Sequence, residues 1–225
     1  MESSLHRTLK LQYAGGREAE TEVTVGGYRI DARRGGRLFE IQCASLSAIK
    51  AKSRRLLAAG HDLTIVKPIT RRTTIRRLAR RRGKVVSSRR SPKVGAVHAV
   101  FDDLVFLHDV FPHPRLTIEL PIVDVVQTRY PATRRCGRTA RRRGYQVADV
   151  ELSAVVEVRR LVRRDDPWDL IDAPPVGQSF GTRRLGRYLG CDRDAARRIV
   201  YFLAGCGAIE RLGRTAEGNQ FRRVA

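Results

Sequence analysis

Residues 22–42 read Glu22-Val-Thr-Val-Gly-Gly-Tyr-Arg-Ile-Asp31, then Ala-Arg-Arg-Gly-Gly-Arg-Leu-Phe, then Glu40-Ile41-Gln42. Gly-Gly pairs at 26–27 and 35–36 separate short β-type runs, which predicts tight antiparallel turns. Along the last strand, Glu40 and Gln42 leave one face, whereas Phe39 and Ile41 leave the other. Asp31 ends the preceding strand in this prediction, and we expect it to reach the same place as Glu40.

Two carboxylates that converge from adjacent strands form a hard, oxygen-rich site suited to Mg²⁺ or Mn²⁺. A metal ion of this kind activates water and stabilises a phosphoryl transition state. Many β-hairpins also carry an acid at a turn and another on a solvated strand without any such role. The sequence therefore leaves two interpretations of Asp31 and Glu40 open, a metal site and idle surface charge.

The order of elements around this acid pair resembles the PD-(D/E)XK nuclease core of the Holliday-junction-resolvase type. An amphipathic helix at 2–13 precedes the hairpin, and a second helix at 46–59 and an apolar strand at 63–68 follow it. The resemblance covers residues 1–70. It implies a restriction-endonuclease-like α/β fold with Asp31 and Glu40 as ligands of Mg²⁺ or Mn²⁺.

The resemblance also assigns roles to residues beside the two ligands. Gln42 stands where the family usually has lysine, and it would orient the attacking water. Some members carry Gln at this position, but its amide supplies no positive charge. Lys50 or Lys52 of the following helix would supply that charge, and Glu2 would assist as the acid of the first helix.

The chain has 45 Lys and Arg against 23 Asp and Glu, a formal net charge of +22. This excess, mostly arginine, predicts a polyanionic partner, although an arginine-rich proteome would also raise it. DNA is favoured over RNA, because aromatic residues for base stacking make up only 6% of the chain. Membrane association is not expected, since no apolar run is long enough to span a bilayer. Four dispersed cysteines fit a reducing cytoplasmic setting rather than a disulfide scaffold.

Residues 71–165 are predicted to form a basic α+β middle region. We expect a basic, partly helical arm at 71–90 and a helix at 96–110. A strand from 116 bulged at Pro121 and a helix at 151–162 should follow. The arginines expected to contact DNA in this region are Arg71, Arg72, Arg76, Arg77, Arg80, Arg81, Arg141 and Arg142. A solvated linker is the alternative for the arm.

Residues 174–225 resemble a winged-helix domain. Thr182 is expected to cap one helix, Asp192 is expected to cap a second, and a Gly-rich hairpin tip at 213–218 would form the wing. The arginines that the resemblance places against DNA are Arg193, Arg197, Arg198 and Arg214. Winged helices also serve in protein interaction or dimerisation, so a homodimer stays open.

Across the whole chain, Glu40-Ile41-Gln42, Ser47-Ala48-Ile49 and Phe180 with Thr182 resemble a family of uncharacterised bacterial proteins. The sequence thus predicts an α/β protein with a nuclease-like domain, a basic middle region and a winged-helix tail. The leading hypothesis is a Mg²⁺-dependent DNA endonuclease. The alternative is a non-catalytic DNA-binding protein or regulator on an inactive nuclease scaffold.

Overall fold

The computed structural model describes residues 2–171, 174, 176–216 and 218–224. The chain forms a mixed α/β structure with one large sheet and a smaller one. The strands of the large sheet are β1 (Thr21–Val25), β2 (Tyr28–Arg34), β3 (Arg37–Ile41), β4 (Leu63–Val66), β5 (Ile69–Leu78), β6 (Val85–Arg90), β7 (Leu116–Pro131) and β8 (Tyr145–Leu161). The helices beside it are α1 (Ser4–Tyr13), α2 (Lys50–Ala58), α3 (Phe101–Leu104) and α4 (Arg138–Arg143).

The first three strands form an antiparallel meander, as the Gly-Gly pairs predict. Gly26, Gly27, Gly35 and Gly36 all have φ between +57° and +79°. Both residues of a two-residue type I′ turn require a positive φ, which only glycine adopts without strain. β3 then pairs parallel with β4, and α2 makes the crossover that two parallel strands need.

Strand β7 is the centre of the sheet. β8 pairs with one side of β7 along almost its whole length, over positions 118–131 of β7. β4 and β5 share the other side, since β4 pairs with 116–119 and β5 with 122–129. The boundary predicted at residue 70 thus falls inside one sheet, just after β5 begins at Ile69.

Two predictions for the middle region are wrong. Residues 71–90 are no partly helical arm, because β5 and β6 form an antiparallel hairpin within the sheet. Residues 151–162 form no helix, because they belong to the long strand β8. The helix predicted at 96–110 is only a series of short helical turns between Val97 and Leu107. The irregularity expected at Pro121 lies close by, as a register shift between Ile122 and Val123.

The two faces of the large sheet bury separate clusters. α1 packs Leu5 and Leu9 against Phe39 and Ile41, which share one face of β3 as the alternation of the strand predicts. The other cluster contains Leu56 of α2 and extends into the C-terminal segment. The sheet is therefore covered by α1 on one side and by α2 and the tail on the other.

The tail has its own three-stranded sheet and two helices. Its strands are β9 (Ser179–Gly181), β10 (Ile209–Thr215) and β11 (Gly218–Arg223), and its helices are α5 (Thr182–Leu189) and α6 (Arg193–Gly205). β11 lies between β9 and β10. Asp192 caps α6 as predicted, because its carboxylate accepts from the backbone N–H of Ala195 at 2.7 Å. Thr182 is not the cap of α5, because it is the first residue of that helix. The cap position is held by Gly181, which has no side chain to accept a hydrogen bond.

Helix α6 docks the tail on the large domain. Phe202 lies between Phe101 and Phe111, with ring centroids 5.7 and 5.9 Å away. Beside it, the Tyr201 hydroxyl lies 3.0 Å from Nε2 of His108. The docking is close enough that a methyl group on Gly205 would lie 2.7 Å from Nδ1 of His108.

Replacing Gly205 by alanine is expected to lower the free energy of unfolding by about 1–3 kcal/mol, because the side chain and backbone of His108 must move to admit the methyl group. Alanine would otherwise favour the helix by up to about 1 kcal/mol. Urea denaturation of the two proteins measures the difference. A stabilised Gly205→Ala variant would contradict the close approach of His108.

Candidate active site

Asp31 and Glu40 lie at adjacent positions of paired strands. Ala32 of β2 is opposite Phe39 of β3, so the next positions along the two strands are those of the acids. Oδ2 of Asp31 accepts a hydrogen bond from the backbone N–H of Ile41 at 2.8 Å. Asp31 therefore lies within β2 and not at its end, where the sequence had placed it. The two acidic residues are thus neighbours on paired strands, and the charge of Asp31 helps to raise the pKa of Glu40.

Glu40 is a buried carboxylate with a lysine partner. Its residue is 4% exposed, and Nζ of Lys52 lies 2.6 Å from its Oε1. Burial raises the pKa of Glu40; Lys52 opposes that shift, and the charge of Asp31 adds to it. The same ammonium group donates to the backbone carbonyl of Arg29. Lys52 thus links the buried acid to strand β2.

The prediction that Lys50 serves this site is corrected by the geometry. Lys50 points away and pairs with Asp109 at 2.9 Å. Two helical positions correspond to about 200° of rotation, so Lys50 and Lys52 leave α2 on opposite sides. The positive charge beside Glu40 therefore comes from Lys52.

Helix α1 contributes a histidine that the sequence had not singled out as a site residue. Nε2 of His6 lies 2.9 Å from the carbonyl of Ile41 and 3.5 Å from Oδ2 of Asp31. Its Nδ1 lies 2.5 Å from Oε1 of Glu2. Glu2, one helical turn earlier, also pairs with Lys10 at 2.8 Å. The i, i+4 spacing of Glu2 and His6 was the available signal.

His6 is held in its protonated form by two acids. A hydrogen bond to Asp31 raises the pKa of His6 to about 9, burial opposes the shift, and Glu2 reinforces it. The imidazolium therefore neutralises charge between the first helix and the hairpin at neutral pH. Four acids (Glu2, Glu22, Asp31 and Glu40) and four bases (His6, Lys10, Arg29 and Lys52) form this charged cluster among the described residues.

The contribution of His6 to stability is expected to decline as pH rises. The folded pKa of about 9 exceeds the ordinary value of 6.5, so the stabilisation is complete below pH 6.5 and is lost as pH passes through 9. We expect the free energy of unfolding of the wild type to exceed that of His6→Asn by about 2 kcal/mol at pH 6 and by much less at pH 10. Urea midpoints of both proteins across this range measure it. A constant difference would contradict the protonated assignment.

Gln42 directly follows β3 and is held by the turn before α2. Its backbone N–H donates to the carbonyl of Val66 at 2.8 Å. Its side-chain Nε2 donates to the carbonyl of Ser45 at 2.7 Å. The amide group is therefore fixed at the end of the strand that carries Glu40.

The negative charges of the cluster are neutralised by its own basic side chains, and the carboxylates are not arranged around a cation. Within the described residues, no group of three or more His, Cys, Asp and Glu side chains is placed to hold a metal ion. One oxygen of Glu40 is taken by Lys52 and one oxygen of Asp31 by a backbone N–H. Oxygens suited to Mg²⁺ are present in Asp31 and Glu40, so the chemistry of the donors fits, whereas the present pairing does not form a full set.

A groove of about 480 Å³ leads away from the cluster. Its walls include Glu2, Asp149, Arg81, Arg82 and Tyr130. Arg81 and Arg82 belong to the turn between β5 and β6. An acidic residue of the cluster and arginines from the middle region therefore share the walls of one groove.

The arginines predicted to contact DNA have different surroundings. Arg71 forms a two-point pair with Asp124, at 3.0 and 2.6 Å, and Arg76 pairs with Glu151 at 3.0 Å. Those that remain exposed in the middle region are Arg72, Arg77, Arg80, Arg81, Arg141 and Arg142. The last two lie on α4, at the tip of the β7–β8 hairpin.

In the tail, Arg198 pairs with Asp102 of the large domain at 2.6 Å, and Arg197 pairs with Asp194 at 3.2 Å. A groove of about 680 Å³ runs between α6 and the β10–β11 hairpin. The arginines that line it are Arg183, Arg193, Arg197, Arg211 and Arg214. Arg193, Arg197 and Arg214 thus line one groove. Arg198 lies instead where the tail packs on the large domain.

A family model described as a domain of unknown function (DUF8091) matches residues 3–162, which include all eight strands of the large sheet and the charged cluster except Glu2. The chain belongs to the DUF8091 family. An uncharacterized protein of Treponema pallidum (strain Nichols) is 32% identical over 120 residues, covering 53% of this chain and 47% of the relative. The chain therefore spans about half the length of that relative. No solved structure matches the chain.

No helix in the described segments is both long enough and apolar enough to cross a bilayer.

Proposed function

We propose that this DUF8091 protein is a Mg²⁺-dependent DNA endonuclease. The observation that carries the proposal is the adjacency of Asp31 and Glu40 on paired strands with Lys52 bound to Glu40. This supplies two carboxylates and one ammonium group, the set that the nuclease resemblance calls for. The lysine comes from α2, since Gln42, directly after β3, stands where the family usually has lysine.

Each residue of the set has a stated role. Asp31 and Glu40 would hold Mg²⁺ or Mn²⁺, which when bound polarises the scissile phosphate and lowers the pKa of a water. Lys52 would stabilise negative charge that develops on the phosphate. Gln42 would orient the attacking water from the end of β3. Glu2 would assist through His6, whose ring lies between Glu2 and Asp31.

The surroundings of the set support a polyanionic substrate. Glu2 shares the walls of one groove with Arg81 and Arg82, so a nucleic-acid backbone lying in that groove would contact both the cluster and these arginines. The element order α1, β1–β3, α2, β4 also agrees with the order that the nuclease resemblance implies.

We assign DNA docking to the tail. Two helices followed by a hairpin, with β9 completing the sheet, support a winged-helix domain. The arginine groove between α6 and the hairpin supports phosphate contact. Arg198 takes no part in this proposal, since Asp102 pairs with it.

A second candidate function is a non-catalytic DNA-binding protein on the same scaffold. One observation favours it: Glu40 and Asp31 already have partners in Lys52 and His6. In that case the cluster would serve as a structural ion-pair network, and the arginine grooves would be the functional sites.

Cleavage of supercoiled plasmid, linear duplex and four-way-junction DNA with Mg²⁺ or Mn²⁺ tests the proposal. We expect the wild type to nick at least one substrate. Asp31→Asn and Glu40→Gln should each lose at least about a hundredfold in rate, with DNA binding retained. Glu210→Gln, an acid of the tail hairpin, is the matched control and should cleave like the wild type. Salt-sensitive binding by the wild type without metal-dependent cleavage would overturn the nuclease and favour the second candidate.

A further inference from the structure

Tyr130, near the end of β7, lies at the meeting point of three hollows in the surface. The first is the groove of about 480 Å³ that reaches Glu2. The second, of about 300 Å³, opens beside Tyr145. The third, of about 620 Å³, lies against Cys136 in the β7–β8 connection. Tyr130 lines all three hollows, which we name together the Tyr130 tract.

The second hollow concentrates positive charge from separate parts of the chain. The arginines in its walls are Arg77, Arg89, Arg129 and Arg143, and no acidic residue lines it. They come from β5, β6, β7 and α4, so neither arginine-rich segment of the sequence could form this hollow alone. Arg89 and Arg143 belong to the two arginine-rich segments, whereas Arg129 belongs to neither.

The strongest sign of a site is a like-charged pair inside the sheet. Arg77 is directly opposite Arg129 on the paired strands β5 and β7. Like charges at directly opposed positions destabilise a sheet. Arg129 is oriented by Gln127, whose Oε1 accepts from its Nε at 2.6 Å, and its guanidinium lies 4.1 Å from the ring centre of Tyr145. Neither arginine has an acidic partner among the described residues.

The other side of β5 provides a contrast. Neighbouring residues of a strand face opposite sides of the sheet, so Arg76 faces away from the hollow. It pairs with Glu151 at 3.0 Å. A general enrichment in arginine would not explain this difference between the two faces of β5. The arginine on one face has an acidic partner, whereas the arginine that faces the hollow has none among the described residues. The uncompensated face fits an anion supplied from outside the chain.

The tract combines this charge with aromatic side chains. Tyr130 and Tyr145 lie in its walls beside the arginines. Tyrosine rings gain stacking energy from bases that are unpaired and accessible, whereas a duplex keeps its bases stacked inside. Hollows of about 300–620 Å³ are of the size that holds small molecules, so they suit single nucleotides better than a double helix.

We propose that the Tyr130 tract binds a single-stranded segment of nucleic acid. Arg77 and Arg129 hold successive phosphates, and Tyr130 stacks on a base. The inference rests on the proposed function in that the bound polymer is the substrate of the charged cluster. It narrows the substrate class to DNA with a single-stranded part, since Tyr130 lines both the arginine hollow and the groove that contains Glu2.

Binding of the full chain to fluorescent oligonucleotides in EDTA tests the tract without cleavage. The probes are oligo-dT of about 15 nucleotides, matched to typical single-strand site sizes, and a duplex of the same length. We expect tighter binding to oligo-dT, weakened roughly tenfold by Tyr130→Leu. Arg77→Gln and Arg129→Gln should each lower the slope of log affinity against log salt by about 0.7.

Arg17→Gln is the matched control, because Arg17 is exposed in the loop before β1. Arg77→Gln removes a like-charged contact, so its thermal midpoint should not fall, which separates lost binding from unfolding. Oligo-dT binding unchanged in Tyr130→Leu and both arginine variants, or duplex binding weakened as much as oligo-dT binding in these variants, would overturn the tract. A separate Mg²⁺ assay distinguishes the two proposals: oligo-dT binding through the tract without cleavage of any DNA contradicts only the nuclease.

Discussion

Replacing Lys52 by methionine is expected to lower the free energy of unfolding by about 3 kcal/mol and the rate of DNA cleavage by about 10²–10³-fold. Methionine keeps the length of the side chain and removes its charge. Glu40 would then be a buried carboxylate without its ammonium partner, which lies at 2.6 Å in the wild type. Breaking a buried pair costs more than the pair contributes, because an uncompensated charge is left behind.

The loss of stability should depend on pH in a defined direction. Burial already raises the pKa of Glu40, and Lys52 opposes that shift, so removing Lys52 raises the pKa further. A carboxyl group with a raised folded pKa is stabilising below its unfolded pKa and loses that contribution as pH rises through the folded pKa. The deficit of Lys52→Met against the wild type should therefore shrink as pH falls. Urea denaturation between pH 4 and pH 8 measures it.

A double variant separates the structural role of Lys52 from its proposed catalytic role. Lys52→Met with Glu40→Gln leaves no buried charge, so most of the lost stability should return while cleavage stays absent. Lys50→Met is the matched control on the same helix, because its ammonium group pairs with the more exposed Asp109. Full cleavage by a stable Lys52→Met variant would contradict the role of Lys52. A double variant no more stable than the single one would contradict the buried pair.

The acid pair could be predicted because its placement is a local matter. The Gly-Gly turns fix the register of the hairpin, and register fixes which side chains share a face. The partner of Glu40 could not be predicted in the same way. Lys50 and Lys52 differ only in the side of α2 from which they project, which depends on how that helix rests on the sheet. His6 was missed because its role requires α1 to cross the end of β3 at Ile41.

The two wrong predictions, for residues 71–90 and 151–162, have a related cause. The dense arginines at 71–90 suggested a solvated arm, yet Thr73, Thr74 and Ile75 are β-branched and favour a strand. β5 is a strand because β7, some fifty residues later in the chain, pairs with it. Apolar spacing at 151–162 also matched a helix, although its valines fit a strand equally well. The pairing with β7 decides between them, and no local pattern contains it.

Replacing Phe202 by alanine is expected to lower the free energy of unfolding by about 3–5 kcal/mol. Phe202 is fully buried, and its ring contacts Phe101 and Phe111 of the large domain. Alanine would leave a cavity between the tail and that domain, in a core cluster that both share. Because α6 carries both Phe202 and the arginine groove, the same contact fixes the direction in which the proposed DNA-docking surface faces.

The matched control is Arg198→Gln on the same helix, which removes the exposed ion pair with Asp102. An exposed pair contributes no more than about 1 kcal/mol, so this variant should unfold close to the wild type. Circular dichroism and the fluorescence of Trp168, whose ring lies 6.3 Å from that of Phe180, report on different parts of the chain. Coincident urea transitions in the wild type are expected if the shared core makes tail and sheet unfold together. Separate transitions, or a Phe202→Ala variant as stable as Arg198→Gln, would contradict that coupling, because apolar burial at α6 is what joins the two parts.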